Sequence, residues 1–282
     1  AGLLGLLPAL LVVAAFFAHR HYRRWQLQRL QGQPFPGEWL DILRTAIPIY
    51  PGLAVQEQER LRQLIKQFLA DKEFYGCNGL ELNDEIRITI AAQACLLLLH
   101  KSGGVYPRLN SVLVYPTSFV AQRETRNEDG TVSEGSHHML GESWDNGRIV
   151  LSWDDVEHGA VDFGDGYNVV LHEFAHQLDA ESGSTNGAPV LRNNSYKTWA
   201  HVLSEHYEDL QSRVNRGKPT VIDDYGATNP AEFFAVATET FFENPGALHA
   251  RRPELFEELQ NYYRCDPRLW HQQNSGDNRA IS

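Results

Sequence analysis

Hydrophobic residues recur at helical spacing in several separate stretches of the chain. Over 55–71 (VQEQERLRQLIKQFLAD), Leu61, Leu64, Ile65, Phe68 and Leu69 fall on one face with charges between them. Asn83 can cap a second helix, running from Asp84 through an apolar stretch to His100. The runs 112–115 (VLVY) and 148–153 (RIVLSW) read as strands. Between them, 121–147 is polar and rich in Gly, Asn, Asp and Ser, which predicts a long loop. An apolar helix is expected over about 167–180, and another over about 195–214. Asn229-Pro230 opens a helix to about 243, with an Asn cap and Pro at the first helical position. Pro253 opens a last one, ending near Arg264. No internal repeat is present. The body is therefore expected to be α+β, mostly helical with a small β-sheet.

The first residues follow a different pattern. Residues 1–18 (AGLLGLLPALLVVAAFFA) carry no charge, and the basic cluster HRHYRRW follows at once. As a helix the apolar stretch would span about 27 Å, just under a hydrocarbon core of about 30 Å. A secretory signal has its positive charge before the apolar run, and here the order is reversed. The reading is an N-terminal apolar helix with a basic flank (1–30), anchoring a body (31–282) to a membrane. Positive-inside logic places a single span in the inner membrane, with the body in the cytoplasm. The alternative is a soluble cytoplasmic protein.

Composition narrows the function classes. Of 282 residues 42% are hydrophobic and 22% charged, which excludes disorder as the dominant state. The net charge is −11. Residues 1–30 contain four Arg and no acid, so the rest sums to −15. An acidic body argues against direct nucleic-acid binding, which needs a basic footprint. Three scattered cysteines (Cys77, Cys95, Cys265) exclude a disulfide scaffold and suit a reducing compartment.

The candidate chemistry lies in 168–179, NVVLHEFAHQLD. His172-Glu173-Phe174-Ala175-His176 is an H-E-x-x-H motif. Residues four apart share one helix face, so two imidazoles can converge on one zinc ion. Glu173, beside the first of them, can reach a zinc-bound water as a general base. A catalytic zinc needs a third protein ligand and an open fourth position. A third His is excluded, because Asp179 and Ser182 stand where its motif would need Gly and His. Glu232 and Glu239, two turns apart on the 229–243 helix, are both available. Glu232 could instead close a capping box with Asn229, and from physics alone the choice stays open. Asp179 and Glu239 are candidates to orient a ligand histidine. The loop histidines His137 and His138 are read as solvated, and RIVLSW as an edge strand that could receive a peptide by main-chain pairing.

HEFAHQLD followed by YGATNPAEFFAVATETFF resembles the Mlc titration factor A family of bacterial zinc peptidases. CNGLELNDEIRITIAAQACLLL (77–98), SVLVYP (111–116), GESW (141–144) and VLSWDDV (150–156) agree with it in order, so the resemblance runs from about Pro34 to Pro267. It implies a gluzincin-type zinc metallopeptidase fold. It also implies one Zn2+ held by His172, His176 and Glu232, with Glu173 as the base and Tyr225 donating to the oxyanion. Aminopeptidase-like action on a peptide or protein substrate is a further implication. Another is binding of an Mlc-type transcriptional repressor, and the alternative function is a weakly catalytic tethered protein that sequesters it. The apolar N-terminal segment departs from the soluble members of that family.

Overall fold

The computed structural model describes residues 32–117, 123–126, 132–135, 147–191 and 195–271. In chain order the described elements are α1 (Gly37–Ala46), a 3₁₀ turn (Tyr50–Gly52), α2 (Val55–Asp71), β1 (Glu73–Gly76), α3 (Asp84–Leu96) and β2 (Ser111–Tyr115). β3 (Arg123–Arg126), β4 (Val132–Gly135), β5 (Arg148–Ser152), α4 (Trp153–Val161), α5 (Val169–Ala180) and α6 (Tyr196–Val214) follow. A second 3₁₀ turn (Asp224–Ala227), α7 (Pro230–Glu243), α8 (Pro245–Arg251) and α9 (Pro253–Tyr263) complete them.

The α+β expectation holds. β1, β2 and β5 form a parallel sheet in the order β1-β2-β5, with Val112 opposite Ile149 and Val114 opposite Leu151. These four side chains are buried, as parallel strands covered by helices require. Parallel neighbours need long crossovers, and α3 lies within the first one.

Some elements had no visible sequence signal. β3 and β4 pair antiparallel inside the stretch read as loop. Their sequences, RETR and VSEG, have no apolar alternation, so the pattern was silent there. α4 starts where RIVLSW ends, because the Ser152 hydroxyl accepts from Asp155 N and caps it. The helix expected to reach His100 stops at Leu96. Leu97, Leu98 and Leu99 remain buried in tight turns, so hydrophobicity continues past the end of the helix.

The expectation of a membrane span is corrected. Among the described residues no helix is long and apolar enough to cross a membrane. α3, among the most buried, has 13 residues, about 20 Å against a core of about 30 Å. Residues 1–18, on which the expectation rested, lie outside the described residues, as do His137 and His138. A single N-terminal span and an inner-membrane location are therefore not supported.

Two helices define the centre. Every residue of α5 is buried, as is every residue of α7 from Ala231 to Glu243 except Glu232, which is nearly so. Phe174 of α5 packs against Phe68 of α2 and against Tyr106, at ring-centroid distances of 5.6 and 4.7 Å. The opposite end of α5 is tied down through Gly187. Its N–H donates to Asp179 Oδ2 at 2.6 Å, and its carbonyl accepts from Trp199 Nε1 of α6 at 2.8 Å. Gly187 has φ +79°, and a Cβ there would lie 2.4 Å from the Pro230 carbonyl oxygen at the start of α7. Only glycine allows this approach of the loop after α5 to the start of α7.

Gly187→Ala should lower stability by about 1–3 kcal/mol through backbone strain and the clash with Pro230. A urea titration measures it. A midpoint equal to that of the parent would show that α7 can move away from residue 187 without cost.

Candidate metal centre

The site is built where the middle of α5 meets the first turn of α7. Asn168 caps α5, its side chain accepting from Leu171 N at 3.0 Å. Asn229 caps α7, accepting from Ala231 N and Glu232 N at 2.9 and 3.0 Å. The Glu232 carboxylate does not complete a capping box. It turns away from its own cap and meets the two histidines of α5.

His172 Nε2, His176 Nε2 and Glu232 Oε2 form a small triangle. Its sides are 3.1 Å between the imidazoles, 3.0 Å from His172 to Glu232 and 3.2 Å from His176 to Glu232. Ligands at 2.0–2.1 Å around a tetrahedral zinc stand about 3.3 Å apart. The triangle is thus close to the size that one such ion demands, and these three residues are a group able to hold a metal. The histidine side chains are 9% and 0% exposed and the glutamate 12%, so the donors face each other rather than water.

The electrostatics follow from that enclosure. Burial opposes a charge on His172, but its hydrogen bonds to Glu232 and Glu239 hold its pKa up at about 10. Burial, with His172 beside it, lowers His176 to about 4. Burial would raise Glu232, yet the two histidines hold it down at about 2. The cluster therefore favours one shared positive charge between an ionised carboxylate and two imidazoles. Two imidazole nitrogens and a carboxylate oxygen are also the donor types a divalent zinc ion takes.

Glu239 does not join the triangle. Its Oε1 lies 2.8 Å from His172 Nδ1, on the far side of the ring, and its Oε2 accepts from Asn168 N at 2.6 Å. It orients the imidazole and anchors the start of α5 together. Asp179, the other candidate for such a role, instead holds Gly187. Burial raises Asp179 to about 6 against the backbone donors around it.

Glu173 is 1% exposed, one residue along α5 from His172. Tyr225, on the 3₁₀ turn that packs against α7, is 44% exposed, and its ring centroid is 5.9 Å from that of His172. Burial, then the charges of Glu232 and Glu173, raise its pKa to about 12, so the phenol keeps its proton at neutral pH.

Sequence reasoning missed Glu243. Its Oε1 accepts from Asn168 Nδ2 at 3.0 Å and its Oε2 from Gly166 N at 2.9 Å. Burial raises its pKa to about 8. The signal was present: Glu232, Glu239 and Glu243 stand seven and four apart, one acidic stripe on an otherwise apolar helix.

A family model described as glucose-regulated metallo-peptidase M90 matches residues 20–264. The chain is 41% identical over 258 residues to the uncharacterised protein slr2042 of Synechocystis sp., covering 91% of this chain and 94% of that one. It is 33% identical to Mlc titration factor A of Serratia proteamaculans, over 91% of this chain and 97% of the relative. To Mlc titration factor A of Yersinia pestis it is 31% identical, over 86% and 89%. A match of this extent, with likeness along nearly the full length of each relative, shows that the chain belongs to the M90 metallopeptidase family, that of the Mlc titration factor A proteins.

Proposed function

We propose that the protein is a zinc-dependent peptidase that hydrolyses peptide bonds with His172, His176 and Glu232 as the metal ligands. The observation that carries the reading is the donor triangle of about zinc dimensions between two buried helices. Family membership supports the metallopeptidase class. Two nitrogens and one oxygen suit zinc, and three protein ligands leave a fourth position for water or substrate.

When bound there, zinc supplies Lewis acidity toward the scissile carbonyl and a water acidic enough to attack near neutral pH. Glu173 takes the proton of the attacking water as its oxygen bonds to the carbonyl carbon. It then delivers that proton to the amine nitrogen as the C–N bond breaks. The Tyr225 hydroxyl, held protonated, donates a hydrogen bond to the developing oxyanion. Its partial exposure leaves it on the open side of the site. Glu239 keeps His172 in the tautomer and ring orientation that present Nε2 to the metal.

β5 is an outer strand of the sheet among the described residues and packs against α5. It is the proposed strand on which an extended peptide pairs through its main chain. An aminopeptidase-like preference, implied by the resemblance, would add a free amino terminus to the substrate. Binding of an Mlc-type repressor draws support from the name Mlc titration factor A that the Serratia and Yersinia relatives carry.

Glu173→Gln should keep zinc at the parental stoichiometry and lose about 10²–10⁴-fold in peptide turnover. Retained turnover with full zinc would remove Glu173 from the mechanism. Tyr225→Phe should reduce kcat by about 10²–10³-fold with little change in zinc content. A change confined to KM would make Tyr225 a substrate contact only. Glu239→Gln should weaken zinc about 10- to 100-fold in a competition titration with a chelator. Unchanged affinity would leave Glu239 as an anchor of the α5 N-terminus alone.

A further inference from the structure

A second site of distinct chemistry lies away from the metal centre, where the end of α6 meets the end of α8. A cavity of about 410 Å³ is lined by Arg213, Pro219, Thr220, Val221, Arg251 and Arg252. Three of these six are arginines and none is acidic. Among the described residues, the carboxylate ion-paired to them is Asp209 of α6. It accepts from Arg213 Nε at 2.8 Å and is also salt-bridged to Arg252. Those two guanidinium groups hold its pKa below the usual carboxylate value, with the Arg252 hydrogen bond the larger influence. Arg251 is exposed and has no hydrogen-bond or ion-pair partner among the described residues.

Three guanidinium groups line the cavity in a chain of net charge −11; Asp209 is ion-paired to two of them, and Asp224 approaches the lining only through the Thr220 hydroxyl, at 3.4 Å. Like charges gathered around one cavity repel each other, and a dianion between them would relieve that repulsion. Guanidinium forks match tetrahedral oxyanions in two-pronged geometry. Arg252, its side chain only 15% exposed and held by Asp209, is already fixed in direction, so little of its freedom is left to lose. The remaining walls are of another kind. Pro219 and Val221 add apolar surface. The Thr220 hydroxyl is turned to the Ile222 carbonyl, which shapes the 219–222 segment. The volume lies within the range of small-molecule pockets, about 300–1,000 Å³, and leaves room for more than a bare oxyanion.

We propose that this cavity binds a small phosphate monoester, its phosphoryl group on Arg213, Arg251 and Arg252 and its organic part against Pro219 and Val221. None of these residues belongs to the metal centre, so the site stands or falls independently of the peptidase reading.

Calorimetric titration of the full chain at constant ionic strength tests it, with phenyl phosphate and inorganic phosphate as separate probes. Phenyl phosphate should bind saturably, one per chain, about tenfold or more tighter than inorganic phosphate. Arg251→Gln, at an exposed position, should weaken that binding about tenfold or more with an unchanged melting temperature. Arg213→Gln should do the same. No saturable binding, or equal binding to both arginine variants and the parent, would overturn the site. Equal affinity for the two probes would overturn the monoester assignment. Binding that survives Arg251→Gln and is abolished by a zinc chelator would place the phosphate on the metal centre and also overturn it.

Discussion

The structure turns on the packing of α5 against α7, and on the polar groups those two helices bury between them. His172, Glu173, His176, Glu239 and Glu243 are all at most 7% exposed. An isolated charge in such a place would be costly, and His172, Glu239 and Glu243 are each answered by another group. Glu239 answers His172 and the Asn168 N–H, while Glu243 answers the Asn168 side chain and the Gly166 N–H. Glu232 answers both imidazoles. Remove one member and its partners are left in a low-dielectric interior. The cluster therefore fixes the distance and rotation of the two helices as much as the apolar residues around it do.

The acidic stripe on α7 divides three tasks by depth. Glu232, in the first turn, turns one carboxylate oxygen to the Nε2 atoms of both imidazoles. Glu239, two turns further, lies behind the first imidazole and sets its orientation. Glu243, one turn beyond, never approaches the imidazoles and secures the loop entering α5. The three share a residue type and a helix face. Their roles differ because α5 crosses α7 with its N-terminus toward the middle of that stripe. The Gly187 contact at the other end completes the arrangement, since a side chain there would push Pro230, and with it Glu232, away from the histidines.

Charge is arranged unevenly over the rest of the molecule. The body is acidic as a whole, yet Arg213, Arg251 and Arg252 converge where α6 and α8 end. The residues come from segments almost forty positions apart, Arg213 between Ser212 and Val214 and the pair Arg251-Arg252 between Ala250 and Pro253. A composition-level reading of an acidic chain excludes a broad basic surface, as nucleic-acid binding requires. It does not exclude a local cationic cavity, because net charge averages over positions that folding brings together.

What the sequence alone determined was local. The H-E-x-x-H spacing, the Asn caps at 83 and 229 and the apolar helices over about 167–180 and up to about 243 each depend on neighbours within a turn or two of helix, so they could be read directly. Family resemblance rested on separated motifs in order and held for the same reason. The choice between Glu232 and Glu239 could not be made from spacing, since both lie on one face. Only the crossing of α5 over α7 decides which carboxylate meets Nε2 and which meets Nδ1. Asp179 looked equally able to support a histidine, but it holds Gly187, a contact created by the loop returning to α7. Polar strands such as RETR and VSEG, and the helices that start at Trp153 and Pro245, had no apolar period to reveal them. Local propensity and spacing are written in consecutive residues. The roles of buried polar groups are set by which distant partner the packing presents, and that is a property of the tertiary structure.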